Sequence, residues 1–100
     1  MTTDIKTEEK TVVRLSPPKM WKVLLMNDDH TPMEFVIELL MGLFGHNEDR
    51  SKEITLEIHN TGSGVAGVYS YEIAEQRALE ATQLSRTHGH PLRIQIEPEE

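Results

Sequence analysis

The run Met20-Trp21-Lys22-Val23-Leu24-Leu25-Met26 stops abruptly at Asn27-Asp28-Asp29-His30. A short apolar run with a β-branched residue and a Trp suits a buried strand better than a helix. The four polar residues behind it read as a turn. Thr31-Pro32-Met33-Glu34 then predicts a helix start, with Thr31 as N-cap, Pro32 at the first helical position and Glu34 completing a capping box. Met33, Val36, Ile37, Leu40, Met41 and Phe44 recur at helical spacing, and Gly45 ends the helix. Strand, turn and helix are thus fixed within about 25 residues, and the turn gathers several side-chain acceptors.

The rest of the chain is punctuated as clearly. Asn47 predicts the cap of a second helix, with Glu48 and Asp49 in the first turn, where the helix dipole favours them. Ile54 and Ile58 share one face of it, Leu56 lies to the side, and Asn60-Thr61-Gly62 ends it. Gly64 to Tyr69 reads as a strand, its two glycines permitting a bulge or close backbone approach. Ser70 can cap a third helix running to about Thr87, whose inner stripe is small: Ala74, Ala78 and Ala81. Gly89 and Pro91 close it. Leu92 to Glu97 alternates apolar and polar, the pattern of a strand with one wet face. The order is β-α-α-β-α-β.

With 100 residues, one domain of ordinary size is expected over 20–97, with 98–100 frayed. Residues 1–19 carry few large apolar side chains and end near Ser16-Pro17-Pro18, so a flexible N-terminal arm is expected there. Four cations face three anions in that segment, so the excess of acid behind the net charge of -7 lies in the remainder. An acidic domain is a poor partner for nucleic acid or for an acidic membrane surface. No apolar run approaches the roughly 20 residues of a membrane span, and the start, MTTDIKTEEK, lacks an apolar signal-peptide core. There is no cysteine, so disulfides, thiol catalysis and cysteine-based zinc sites are excluded. A cytoplasmic monomer without cofactor is the plain expectation.

Catalytic motifs fail on spacing. There is no His-Glu-x-x-His pair, no phosphate-cradling Gly loop before a helix, and no Ser in a nucleophile elbow. His88 and His90 flank Gly89 in a helix-exit turn, where a solvated role accounts for them. Asp28 and Asp29 taken alone fit turn chemistry, and His59 taken alone fits an ordinary helix end. Taken together, Asn27, Asp28, Asp29 and His59 offer acceptors beside apolar Met33, Val36 and Ile58, an arrangement suited to a cation joined to a hydrophobic group.

The segment Lys22-Val23-Leu24-Leu25-Met26-Asn27-Asp28-Asp29-His30-Thr31-Pro32-Met33-Glu34-Phe35-Val36 resembles the signature of the bacterial ClpS adaptor family. His59-Asn60-Thr61-Gly62, then Gly67 to Glu75, and His90-Pro91-Leu92 resemble further blocks of it in the right order. The resemblance implies an α+β fold with three helices packed on a small three-stranded antiparallel sheet. It implies a non-enzymatic role in the N-degron (N-end rule) pathway. Such adaptors bind proteins beginning with Leu, Phe, Tyr or Trp and pass them to the ClpA unfoldase of the ClpAP protease. Positions matching Asn27, Asp28 and His59 would bind the α-amino group, with Asp29 in the same turn and Thr31 near the peptide backbone. Positions matching Met33, Val36, Thr55, Ile58 and Leu92 would line the side-chain pocket, Met33 acting as a gate against β-branched residues. Glu72 and Arg77 would dock on the unfoldase's N-terminal domain.

Three positions depart from the family's common pattern. His30 stands where Tyr is common, Arg77 where Lys is commoner, and Thr55 where many relatives carry Met. A smaller and more polar wall at Thr55 is expected to shift preference towards aromatic first residues. Two other readings stay open on residues alone. One is a ribosome-associated or general protein-interaction module, since the family's fold is shared with a ribosomal stalk domain. The other is a metal-dependent hydrolase using Asp28, Asp29 and His59.

Overall fold

The computed structural model describes residues 17–100. The arm expected over 1–19 therefore lies outside the described residues for 1–16, while Pro17, Pro18 and Lys19 are exposed and belong to no helix or strand. Strand β1 (Trp21–Met26) is followed by helix α1 (Met33–Gly42), helix α2 (Glu48–Thr61), strand β2 (Ser63–Tyr69), helix α3 (Tyr71–Thr87) and strand β3 (Arg93–Pro98). The β-α-α-β-α-β order and the α+β class are those expected.

The most apolar strand takes the middle of the sheet, whose order is β2-β1-β3 with both pairings antiparallel. Val23 and Leu25 are fully buried, while Ile94 and Ile96 of β3 are half-buried between exposed Arg93, Gln95 and Glu97. Pairing of β3 reaches Trp21↔Pro98, and the Glu99 N–H donates to the Met20 carbonyl at 2.9 Å. In β2 the register jumps: Val23 pairs with Gly67 and Leu24 with Val65, which leaves Ala66 as a bulge. The His46 ring, from the loop between α1 and α2, meets the Ala66 carbonyl at 2.6 Å. A carbonyl only accepts, so Nε2–H is the donor and the ring pins the bulge.

Helix α3 lies across all three strands, and α2 packs on β2 and against α1. The small stripe of α3 permits its close approach: Ala74 and Ala81 are fully buried and Ala78 half-buried. Asn47 caps α2 as expected, accepting from the Arg50 N–H at 2.7 Å. The start of α1 differs from the sequence expectation. Pro32, not Thr31, is the N-cap, and its carbonyl accepts from Phe35 and Val36. Thr31 is drawn away by Asp28, to which its hydroxyl donates at 2.8 Å. At Ser70 the N-cap position of α3 is confirmed, but its side chain makes no capping bond.

Candidate functional site

Strand β1 delivers Asn27 to the C-terminal end of α2. The Asn27 N–H donates to the Gly62 carbonyl at 2.9 Å, one step beyond the Met26↔Ser63 pair. Gly62 is the left-handed C-cap of α2 (φ 101°), a conformation that favours glycine, and its own N–H closes on the Ile58 carbonyl. Ladder and cap together bring Asn27 and His59 to one rim.

Asp28 organises the turn. Its Oδ1 accepts from the N–H groups of His30 at 2.7 Å and Thr31 at 2.8 Å, and its Oδ2 accepts the Thr31 hydroxyl at 2.8 Å. Partial burial works against ionisation. The hydrogen bonds from the His30 N–H, the Thr31 hydroxyl and the Thr31 N–H outweigh it, helped by the charge of His30, and hold the carboxyl below its ordinary value of 3.8. The side chain is therefore a fixed anion at neutral pH. Asn27, Asp29 and His59 are exposed, and the side-chain hydrogen bonds of this turn run to Asp28 rather than to them.

This rim opens on a cavity of about 240 Å³. Asn27, Asp28, Asp29, Thr31 and His59 supply its polar side. Met33 and Val36 of α1, Thr55 and Ile58 of α2, and Leu92 ahead of β3 supply the rest. Met33 is 38 % exposed and stands at the mouth, whereas Val36, Thr55, Ile58 and Leu92 are each 5 % exposed or less and form the interior. Ten of the twelve sequence-nominated residues thus surround one space. Glu72 and Arg77 do not: both lie on α3, Glu72 exposed in its first turn and Arg77 paired with Glu80 at 3.5 Å and lying 5.9 Å from the Tyr69 ring centroid. His30 stays outside the cavity lining.

Two walls are held from outside the nominated set, one by Arg86, which sequence reasoning missed, and one by Gly64, at which a close backbone approach is expected. Arg86 Nη1 donates to the carbonyls of His90 at 3.0 Å and Leu92 at 2.7 Å, fixing the segment that carries Leu92. Its signal was a cation in the last turn of a helix just before His90-Pro91-Leu92. Gly64 lets β2 press on Ile58, because a Cβ there would sit 2.8 Å from Ile58 Cγ1. Met26, at the end of β1, also lines the cavity. The expected polarity of Thr55 is only half present: its hydroxyl proton goes to the Ser51 carbonyl of its own helix at 2.8 Å.

A second hollow of about 280 Å³ lies between α1 and α3, among Phe35, Leu39, Leu43 and Leu84. It has no comparable set of acceptors: Glu38 and His88 are its polar side chains. Among the described residues no group of three or more His, Asp and Glu side chains could hold a metal ion. Asp28, Asp29 and His59, the set that the hydrolase reading requires, form no such group. No helix among the described residues is long and apolar enough to cross a membrane.

Residues 16–95 match the family model of the ATP-dependent Clp protease adaptor protein ClpS. The chain is 49 % identical over 80 residues to the ClpS adapter protein of Helicobacter hepaticus, covering 80 % of this chain and 81 % of that protein. It is 44 % identical over 88 residues to that of Bdellovibrio bacteriovorus, covering 88 % of this chain and 77 % of that one. Among solved structures, Agrobacterium tumefaciens ClpS2 bound to L-phenylalaninamide superposes with a TM-score of 0.80 at 43 % identity, covering 83 % of this chain and all of that chain.

Proposed function

Because the chain belongs to the ClpS family of Clp protease adaptors, and is an adaptor rather than an enzyme, we propose that its cavity holds the first residue of a substrate protein. Asn27, Asp28 and His59 accept from the free α-ammonium group, Asp29 adds negative charge to the same turn, and Thr31 lies beside the following peptide backbone. The first side chain fills the space between Met33, Val36, Thr55, Ile58 and Leu92. The observation that carries this reading is the contiguity of a fixed, acceptor-rich rim with an apolar interior. It is supported by the ligand of the Agrobacterium relative, whose amine, benzyl group and carboxamide match the start of a peptide.

The energetics suit such a ligand. The α-amino group has a reference pKa of about 7.7–8.0, so it is mostly charged at neutral pH. Each hydrogen bond to a charged group contributes about 1.5–3 kcal/mol, and burying a Leu or aromatic side chain roughly 1.5–3 kcal/mol. After the association cost, binding on the order of micromolar follows. Neither half suffices alone: a lysine brings the cation without the adjoining ring, and an internal Phe the ring without the amine.

Delivery to a ClpA-type unfoldase is assigned to the α3 face carrying Glu72 and Arg77, for which the supporting fact is their position away from the cavity. The short Thr55 side chain shifts preference among Leu, Phe, Tyr and Trp towards the aromatics. The test is one Phe-starting peptide titrated with and without N-acetylation. Acetyl removes the charge and two donors while leaving the ring, so binding is expected to be lost. Equal affinity of the two forms overturns the reading.

A further inference from the structure

At one edge of the sheet, β3 pairs with β1 alone among the described residues. The pairing is regular, and the Glu99 N–H donates to the Met20 carbonyl at its end. Along an antiparallel ladder, residues alternate between turning their peptide groups inward to the neighbour and outward to the edge. Glu99 turns inward, so Glu97, Gln95 and Arg93 do too, and Ile94 and Ile96 present their N–H and C=O groups outward. Those groups have no hydrogen-bond partner among the described residues. The side chains of Arg93, Gln95 and Glu97 are exposed, while Ile94 and Ile96 pair with the buried Leu25 and Val23.

We propose that this edge is a docking surface for a second copy of the chain, whose β3 adds to it antiparallel about a two-fold axis at Gln95. In that register the strand complements itself: Arg93 lies opposite Glu97 of the second copy, Ile94 opposite Ile96, and Gln95 opposite Gln95. Ile94 and Ile96 then form the hydrogen-bonded pairs, and their outward N–H and C=O groups all find partners. Arg93 and Glu97 fall in the non-hydrogen-bonded pairs, where side chains stand closest and opposite charges stabilise. The Lys22 contact at 3.8 Å leaves half of the Glu97 side chain exposed. Charges on an edge usually block pairing between like strands; here each sign meets the other. The next pair at either end joins Leu92 to Pro98. Pro98 has no N–H to give, and the carbonyl opposite it is the one that Arg86 already holds at 2.7 Å. A slip of one residue sets outward peptide groups against inward ones. A slip of two sets Ile94 against Pro98 or Ile96 against Leu92, and separates Arg93 from Glu97. The two cavities lie at opposite ends of the joined sheet, and the proposal does not depend on what they bind.

The test uses the full chain, which has no cysteine of its own. Gln95→Cys places one thiol at the two-fold axis, where facing Cα atoms stand about 4.5 Å apart, within the roughly 4.4–6.8 Å that a disulfide spans. The same substitution at Glu97 leaves the two thiols about 13 Å apart along the strands. Mild oxidation is expected to link Gln95→Cys chains at least about tenfold faster than Glu97→Cys chains. Sedimentation of the unaltered protein is expected to show a mass that climbs with concentration from that of one chain towards that of two. Arg93→Glu alone and Glu97→Arg alone set like charges face to face, and each is expected to weaken the dimer about tenfold. Both side chains are exposed, so the fold is kept. An equimolar mixture of the two variants sets an all-acidic edge on an all-basic one and is expected to restore association. A mass that stays at one chain at every concentration overturns the proposal. So does equal oxidation of the two cysteine variants, or association that persists in both charge-reversed proteins, which would place the contact on another surface.

Discussion

The Asn27 N–H donates to the Gly62 carbonyl at 2.9 Å, and this bond joins the two halves of the rim. One half, the turn Asn27 to Thr31, belongs to β1 and the start of α1; the other, His59, belongs to the last turn of α2. They are far apart in sequence and have no local reason to meet. They meet because the β1–β2 ladder continues one residue past Met26↔Ser63 into the glycine cap of α2.

Asp28 holds the turn and, in the proposed function, also meets the ligand's amine. Asp28→Ala removes the acceptor of three hydrogen bonds and a carboxylate locked into the rim. Affinity for a Phe-starting peptide is expected to fall by at least about tenfold, the loss of one charged hydrogen bond. Asp28→Asn, which keeps one acceptor oxygen, is expected to fall between the two. Parallel titrations and urea unfolding check this; an Ala variant binding like the parent contradicts it.

The pH dependence follows from the same carboxyl. Its folded pKa lies below the ordinary 3.8, so its contribution to stability is complete above the unfolded value and is lost as pH falls through the folded one. Urea midpoints of the parent are therefore expected to drop in acid more steeply than those of Asp28→Ala. Peptide binding weakens in acid as Asp28 is neutralised. It weakens in alkali as the amine, near about 7.7–8.0, loses its proton. An affinity that stays flat between about pH 5 and about pH 9 contradicts this assignment.

Gly64→Ala places a Cβ 2.8 Å from Ile58 Cγ1, closer than carbon atoms tolerate. Ile58 is 4 % exposed and has the cavity on its other side, so it yields into that space. The expected outcome is a loss of about 1–3 kcal/mol in stability, the usual cost of overpacking, together with weaker binding of aromatic first residues than of Leu. Thermal unfolding and a Phe-to-Leu affinity ratio measure the two effects.

Arg86→Ala removes the two bonds that hold the carbonyls of His90 and Leu92. The polar rim is untouched, so discrimination between free and acetylated peptides is expected to persist while affinity for all first residues drops several-fold. Arg86→Lys is expected to recover only part of it, since an ammonium lacks the planar fork of the guanidinium. A variant that loses amine discrimination instead would place Arg86 in the rim.

The element order was legible because the chain marks its own boundaries: Asn47 and Gly62 bracket α2, and Gly89 to Pro91 separates α3 from β3. The candidate residues were legible as types, through the acceptor run at Asn27 to Asp29 and the resemblance that His59 completes. What remained hidden depends on contacts between distant segments. Thr31 looked like a cap until Asp28 competed for its hydroxyl. No local pattern foretells that His46 reaches the Ala66 carbonyl or that Ser51 is buried without a partner, and the cation ending α3 does not by itself name Leu92 as its partner.

The extra residue at Ala66 also divides β2 into two independent stretches. Ser63 to Val65 keep step with Met26 to Leu24 and back the Ile58 wall, while Gly67 to Tyr69 keep a separate step with Val23 to Trp21, beside the Trp21–Tyr71 aromatic contact at 4.9 Å. Alternation between the two faces restarts at that point. One strand can thus change residues at the cavity end without re-aiming those at the other, so the two ends of the molecule are free to diversify separately.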